Sequence, residues 1–190
     1  MLSQFSAETN TSLNAERKQT LKDLFKVPAD VYPVGRLDYD SEGLLILTND
    51  PSINFRLLNP AHQHEREYWV QVEGEVSEEA LQSLRAGVNI SVDGKTVFTK
   101  HAKASRFSVP PVVAERDPPI RYRKNIPDSW LSLSLYEGRN RQVRKMTAAV
   151  GHPTLRLIRY RIEAITIDGL QPGGMRELQS AEIRRQLFRT

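Results

Sequence analysis

An α+β fold, with a mixed, mainly antiparallel sheet flanked by helices, is what this sequence predicts, and three observations carry the prediction. Trp130-Leu131-Ser132-Leu133-Ser134-Leu135 alternates with period two, as do residues 68–72, so each reads as a strand, the first with one wet face. Asp93-Gly94 marks a tight turn between strands at 89–92 and 96–100. Over 140–150 the period changes to that of a helix. There Val143, Met146 and Val150 fall on one side and Arg141, Arg144 and Lys145 on the other.

The remaining elements follow in order. Residues 7–14 are polar, and Asn14 can cap a helix over 15–25 whose apolar stripe is Leu21, Leu24 and Phe25. Pro28 and Pro33 stop that helix from continuing. The apolar run 44–48 suits a buried strand, and Pro51 suits the first turn of a helix reaching Leu58. Ser77 caps a helix to Ala86, where Gly87 ends it. Residues 109–128 hold Pro110, Pro111, Pro118, Pro119 and Pro127 with Arg116, Arg121, Arg123 and Lys124, the composition of an irregular exposed loop that can meet a polyanion. Strands near 154–159 and 161–167 and a last helix started by Ser180 complete the chain.

A chain of 190 residues with 39% hydrophobic side chains can bury the core of one domain or of two intimately packed lobes. The absence of cysteine rules out disulfides and thiolate metal sites, and fits a reducing cytosol. No apolar run is long enough to span a bilayer and Met1 to Ser6 is too short for a signal peptide, so the expectation is a soluble cytoplasmic protein. The net charge of +4 is unevenly placed. Residues 1–100 hold 10 Lys/Arg against 15 Asp/Glu, and residues 101–190 hold 17 against 8. The second half is thus the expected phosphate-contacting half, although solvated basic faces would give the same composition.

Two segments concentrate chemistry. Gly35-Arg36-Leu37-Asp38-Tyr39-Asp40-Ser41-Glu42-Gly43 is a glycine-flanked acidic turn set directly before the apolar run 44–48. Glu137-Gly138-Arg139-Asn140-Arg141-Gln142-Val143-Arg144-Lys145-Met146 supplies guanidiniums that could serve an acid and a polyanion together. The turn also mimics the first half of a calcium loop, with acids at alternate positions and a glycine. Such a loop needs a bidentate glutamate at its twelfth position, which is Asn49 here, and helical flanks, where Pro33 and Gly35 stand instead. A purely structural reading, in which Asp38 and Asp40 only stabilise the turn, stays open on these residues alone. His62-x-His64 has no acidic or cysteine partner at zinc spacing, so no metal is expected.

Both segments resemble signatures of the RNA pseudouridine synthases of the RsuA/RluB/RluE/RluF family: the GRLD…GLL-LTND block, and the EGRNRQVR-M block followed by Gly151-His152-Pro153-Thr154-Leu155-Arg156-Leu157-Ile158-Arg159. With Tyr68 in Glu65-Arg66-Glu67-Tyr68-Trp69-Val70, the similarity runs through essentially the whole chain in the family's order. The resemblance implies the pseudouridine synthase catalytic fold, with Asp38 as the aspartate acting on the ribose and Tyr68 against the target base. It also implies Arg144 as the arginine paired with Asp38, and Leu157 packed on the uracil's other side. Arg36, Arg139, Arg141 and Lys145 are then expected on the RNA, joined by Arg121, Arg123 and Lys124 of the proline-rich loop. Asp40 keeps the structural reading, and His152 is expected to cap or pack.

Many members of the family begin with a small S4 RNA-binding domain, for which this chain has no room. Residues 1–190 are therefore expected to be the catalytic domain alone, most like the RluE branch, which acts on large-subunit (23S) ribosomal RNA. Leu2 to Phe5 resembles the end of the family's first strand with its preceding residues missing, as in a truncated chain. The expectation is a cofactor-free monomeric enzyme that isomerises a specific uridine in ribosomal RNA. A catalytically silent RNA-binding or ribosome-assembly protein on the same fold shares the basic surface, but has no need of Asp38, Tyr68 and Arg144 together. A carboxylate glycosidase lacks a persuasive second acid.

Overall fold

The computed structural model describes residues 3–5, 19–120 and 126–188. Its elements in chain order are β1 (Tyr32–Pro33), β2 (Glu42–Gly43), β3 (Leu47–Thr48), α1 (Pro51–Leu58), β4 (Arg66–Glu73) and α2 (Glu78–Ala86). There follow β5 (Asn89–Val92), β6 (Lys95–Phe98), β7 (Lys103–Arg106), β8 (Asp128–Leu135), α3 (Gln142–Ala149), β9 (Thr154–Ile162), β10 (Ile165–Thr166) and α4 (Ser180–Leu187).

The main sheet runs β10-β9-β4-β8-β7, antiparallel throughout, and β2 joins it by pairing in parallel with β9. It is a mixed, mainly antiparallel sheet with helices packed on it, the α+β class the sequence predicts. Register puts Tyr68, Val70 and Val72 opposite Leu133, Leu131 and Ser129 on one flank, and Tyr68 and Val70 opposite Arg159 and Leu157 on the other. That face buries Val70, Val72, Leu131, Leu133 and Leu157 against Leu81 and Leu84 of α2 and Val143 and Met146 of α3. A second apolar cluster, with Val34, Leu44, Ile46, Ile53, Leu57, Ile162, Leu187 and Phe188, binds α1 and α4 to the far end of β9.

Local chemistry fixes the element ends. Asp50 accepts the Ser52 amide at 2.8 Å and Pro51 opens α1; Ser77 accepts the Ala80 amide at 3.2 Å to start α2. The hairpin turn has positive φ at both Asp93 (49°) and Gly94 (76°), the conformation that matches the strand twist.

Several expectations are corrected. Residues 6–18, including Asn14, lie outside the described residues, and Leu21–Asp23 forms only a single 3-10 turn, with Leu24 pointing into solvent. The run 44–48 is no single strand: its start is held by β9 and its end by β1, because the Leu44 amide donates to the Arg159 carbonyl and Leu47 and Thr48 face Pro33 and Tyr32. The strands expected near 154–159 and 161–167 are one long β9 with a short return in β10. β8 is buried on both faces in part, since Trp130 and Ser134 are covered as well as the leucines.

Candidate active site

The acidic turn is set by its glycines. Gly35 and Gly43 both have positive φ, 71° and 105°, where a side chain is strained. Gly43 also lies against β9, and a Cβ there would sit 2.3 Å from the Arg159 carbonyl oxygen. Within the turn Ser41 donates its amide to the Asp38 carbonyl at 3.0 Å. On the other side, the Ser3 hydroxyl donates to the Leu37 carbonyl and accepts the Leu37 amide, both at 2.9 Å, bracing the residue before Asp38.

The start of α3 meets this turn. Arg141 stands in the left-handed conformation (φ 51°, ψ 34°) just outside the helix, so the helical wheel does not fix its direction. Its Nη1 and Nη2 donate to the two Asp40 carboxylate oxygens at 3.0 and 3.1 Å, and Nη1 lies 3.6 Å from Asp38 Oδ2. Arg144, inside the helix, donates Nη2 to the Asp40 carbonyl at 2.9 Å and approaches Asp40 Oδ2 at 3.3 Å. The expected Arg144–Asp38 pair is thereby corrected: Arg144 holds Asp40, and Arg141 is the guanidinium within ion-pair distance of Asp38. The left-handed residue has put Arg141, which the resemblance placed on the RNA, between the two acids.

Electrostatics follow the geometry. The Arg141 hydrogen bond holds the Asp40 carboxyl below the usual range despite partial burial, and Arg144 acts in the same direction. Arg141 is raised by the same bond, whereas burial pulls Arg144 down against the attraction of Asp40. Asp38 keeps 29% of its side chain exposed, so a bound molecule can reach it.

Tyr68 and Leu157 share one face of the sheet with Arg159. Tyr68 is half-buried on the edge of the core, and Leu157, opposite Val70, is only 5% exposed. Leu157 therefore supports the floor beneath this region. Arg36 is exposed; Arg139 pairs with Glu137 at 3.2 Å; Lys145 is half-buried, with no ion pair among the described residues. Arg121, Arg123 and Lys124 lie outside the described residues. His152 donates from Nδ1 to the Glu73 carbonyl, 2.9 Å away, in a packing role, and His64 pairs with Glu163 at 2.9 Å.

Sequence reading missed two features. Arg156 grips Glu42 of the turn bidentately at 3.0 and 2.7 Å and also donates to the Ala114 carbonyl, while Arg116 reaches the same Glu42 at 3.0 Å. The proline-rich loop is thus tied to the acidic turn. The other is Arg159, a buried cation whose only signal was a charge on the apolar face of a strand.

Residues 2–149, which include the aspartate turn and the arginine-rich helix start, match the RNA pseudouridylate synthase family in sequence, and the chain belongs to that family. Among its relatives is ribosomal large subunit pseudouridine synthase E of Xanthomonas axonopodis pv. citri (strain 306), 49% identical over 172 residues that cover 90% of this chain and 85% of that protein. The protein of the same description from Vibrio parahaemolyticus serotype O3:K6 (strain RIMD 2210633) is 47% identical over 87% of this chain and 67% of its own. A solved structure described as a pseudouridylate synthase superposes with a TM-score of 0.69 at 29% identity; the match covers 88% of this chain and 65% of that one. The human RNA pseudouridylate synthase domain containing 1 shares the fold at a TM-score of 0.52 and 14% identity, covering 93% of this chain and 84% of its own.

Proposed function

We propose that this protein converts one specific uridine of 23S ribosomal RNA to pseudouridine, working as a monomer in the cytoplasm. The observation that carries the reading is the Asp38 carboxylate, reachable by a ligand and held 3.6 Å from the Arg141 guanidinium on a turn fixed to the sheet. A carboxylate is the nucleophile or base that the reaction needs, and Asp38 is the one this turn leaves within reach of a ligand. Asp38 acts on the ribose by attacking C1′ or by taking the C2′ proton. On either route the C1′–N1 bond breaks, the uracil turns, and a C1′–C5 bond forms as the Asp38–C1′ bond breaks or the C2′ proton is returned from Asp38, with N1 gaining a proton in place of the one C5 loses. The isomerisation is redox-neutral and calls for no cofactor.

Tyr68 supplies an aromatic face for the flipped base and a phenol that can orient or accept the C5 proton. Flipping costs a few kcal/mol, which remote phosphate contacts must offset. Arg36, Arg139 and Lys145 are the assigned contacts, with Arg121, Arg123 and Lys124. Arg141, already engaged by the two acids, is assigned to the site.

The test is a map of pseudouridines in ribosomal RNA from cells with and without this protein, and from cells supplied with Asp38→Asn. One large-subunit site should vanish on deletion and stay absent with Asp38→Asn, while the purified variant binds RNA with nearly unchanged affinity. An identical map in all three would leave a silent RNA-binding protein.

A further inference from the structure

Arg159 is 5% exposed, in the middle of β9, and no carboxylate pairs with it among the described residues. Burial pulls its guanidinium down in pKa, with the neighbouring Tyr68 phenol opposing the shift. A buried charge without a counter-ion is unfavourable unless its donors are used. Nε donates to the Leu44 carbonyl at 2.7 Å and Nη1 makes a long contact of 3.5 Å with the Arg36 carbonyl, while Nη2 is buried without a hydrogen-bond partner. The remaining polar neighbour is the Tyr68 side chain, which favours the charged guanidinium.

The two carbonyls are the ends of the acidic turn. Arg36 and Leu44 bracket residues 37–43, which include Asp38 and Asp40, so one side chain spans the neck of the loop. The Arg159 backbone grips the same place, its carbonyl accepting the Leu44 amide at 2.8 Å and Gly43 passing too close to admit a Cβ. On the opposite flank Arg159 stands in register with Tyr68. The turn and the tyrosine come from separate parts of the chain, and this residue is in contact with both.

We propose that Arg159 is a positioning residue for the reaction: its guanidinium closes the neck of the Asp38 turn and holds that turn in fixed relation to the Tyr68 ring. The inference rests on the proposed uridine isomerisation. A planar fork reaches two carbonyls in different directions, which a lysine ammonium on a single stem does not reproduce. A neutral side chain of similar length fills the space without either bond, and relief from burying an unpaired charge offsets the hydrogen bond lost at the Leu44 carbonyl.

Arg159→Met and Arg159→Lys test this. Both should melt within a few degrees of wild type and bind the RNA substrate within about twofold, because Arg159 is shielded from it. Both should lose single-turnover rate at saturating RNA by about 100-fold, the scale of a misplacement near 1 Å. Amide exchange at Ser41 and Leu44, bonded to Asp38 and Arg159, should accelerate while amides of β4 and β8 stay protected. The same exchange pattern in Arg159→Lys decides the matter should Arg159→Met not fold. Wild-type rates in either folded variant, full rescue by lysine, or a loss confined to RNA affinity would overturn the inference. Wild-type protein that makes no pseudouridine would instead overturn the proposed function and leave the exchange result to judge the clamp.

Discussion

Arg141 and Arg144 show how far residue identity alone reaches. Their presence beside an acid was legible in the sequence, and so was the acid. Which guanidinium meets which carboxylate was not, because it turns on the left-handed backbone of Arg141, and an arginine gives no warning of such a conformation. Arg159 was missed for a different reason: a strand alternation shows which face a residue takes, but not what another loop will bring against it. The two helix-start arginines should part company in their variants. The Arg141–Asp40 pair is 43% and 40% exposed, so Arg141→Ala should cost at most about 1 kcal/mol of stability. Arg144 is 12% exposed and donates to a backbone carbonyl, so Arg144→Ala should cost about 1.5 to 3 kcal/mol. Both should slow single-turnover isomerisation, since each removes a cation from the pair of acids. Thermal melts beside rates make the comparison, and an Arg144→Ala protein unchanged in both would detach α3 from the turn.

Elements with their own punctuation were the readable ones: α1 behind Asp50-Pro51, α2 between Ser77 and Gly87, and the hairpin at Asp93-Gly94. Ser77→Ala should therefore lower stability by about 1 kcal/mol in denaturant unfolding, with no change in rate, and a neutral effect would show that the cap is unused. Segments whose conformation depends on distant partners were misread, as with 44–48, divided between β9 and β1. The outer face of the sheet was also invisible beforehand. There burial of Glu65 disfavours its charge, but hydrogen bonds from Lys103, Arg161 and Tyr136 outweigh this and bring its pKa down from 4.5 to about 2. A depressed carboxyl pKa adds stability that is complete above 4.5 and is lost as pH falls from 4.5 through about 2. Glu65→Gln should give a stability curve flatter than wild type across that window and lower than it at neutral pH. Parallel acid limbs in the two proteins would count against the network.

At the scale of the whole molecule, the chain divides its labour by charge: a net −5 over residues 1–100, which carry Asp38, and a net +9 over residues 101–190. The halves are joined where Arg116 and Arg156 meet Glu42 and where Arg141 meets Asp40, so the acids of the turn neutralise nearby cations and leave the rest for a polyanion. The proline-rich loop is anchored through Arg116 and Ala114, beside the turn, and Arg121, Arg123 and Lys124 follow it closely in sequence. Removing those three charges should weaken RNA binding without changing the chemical step at saturation. Each phosphate contact releases counterions when it forms, so each lost contact should flatten the slope of log affinity against log salt by about 0.7 to 0.9. Asp38→Asn should leave that slope unaltered, because in the proposed reaction Asp38 acts on the sugar. Affinity across a salt series, with single-turnover rates at saturating RNA, separates the two effects. An unchanged slope in the triple variant would assign the phosphates to Arg36, Arg139 and Lys145, and a lower saturated rate with it would mean that the loop's contacts also drive the uridine out of its helix.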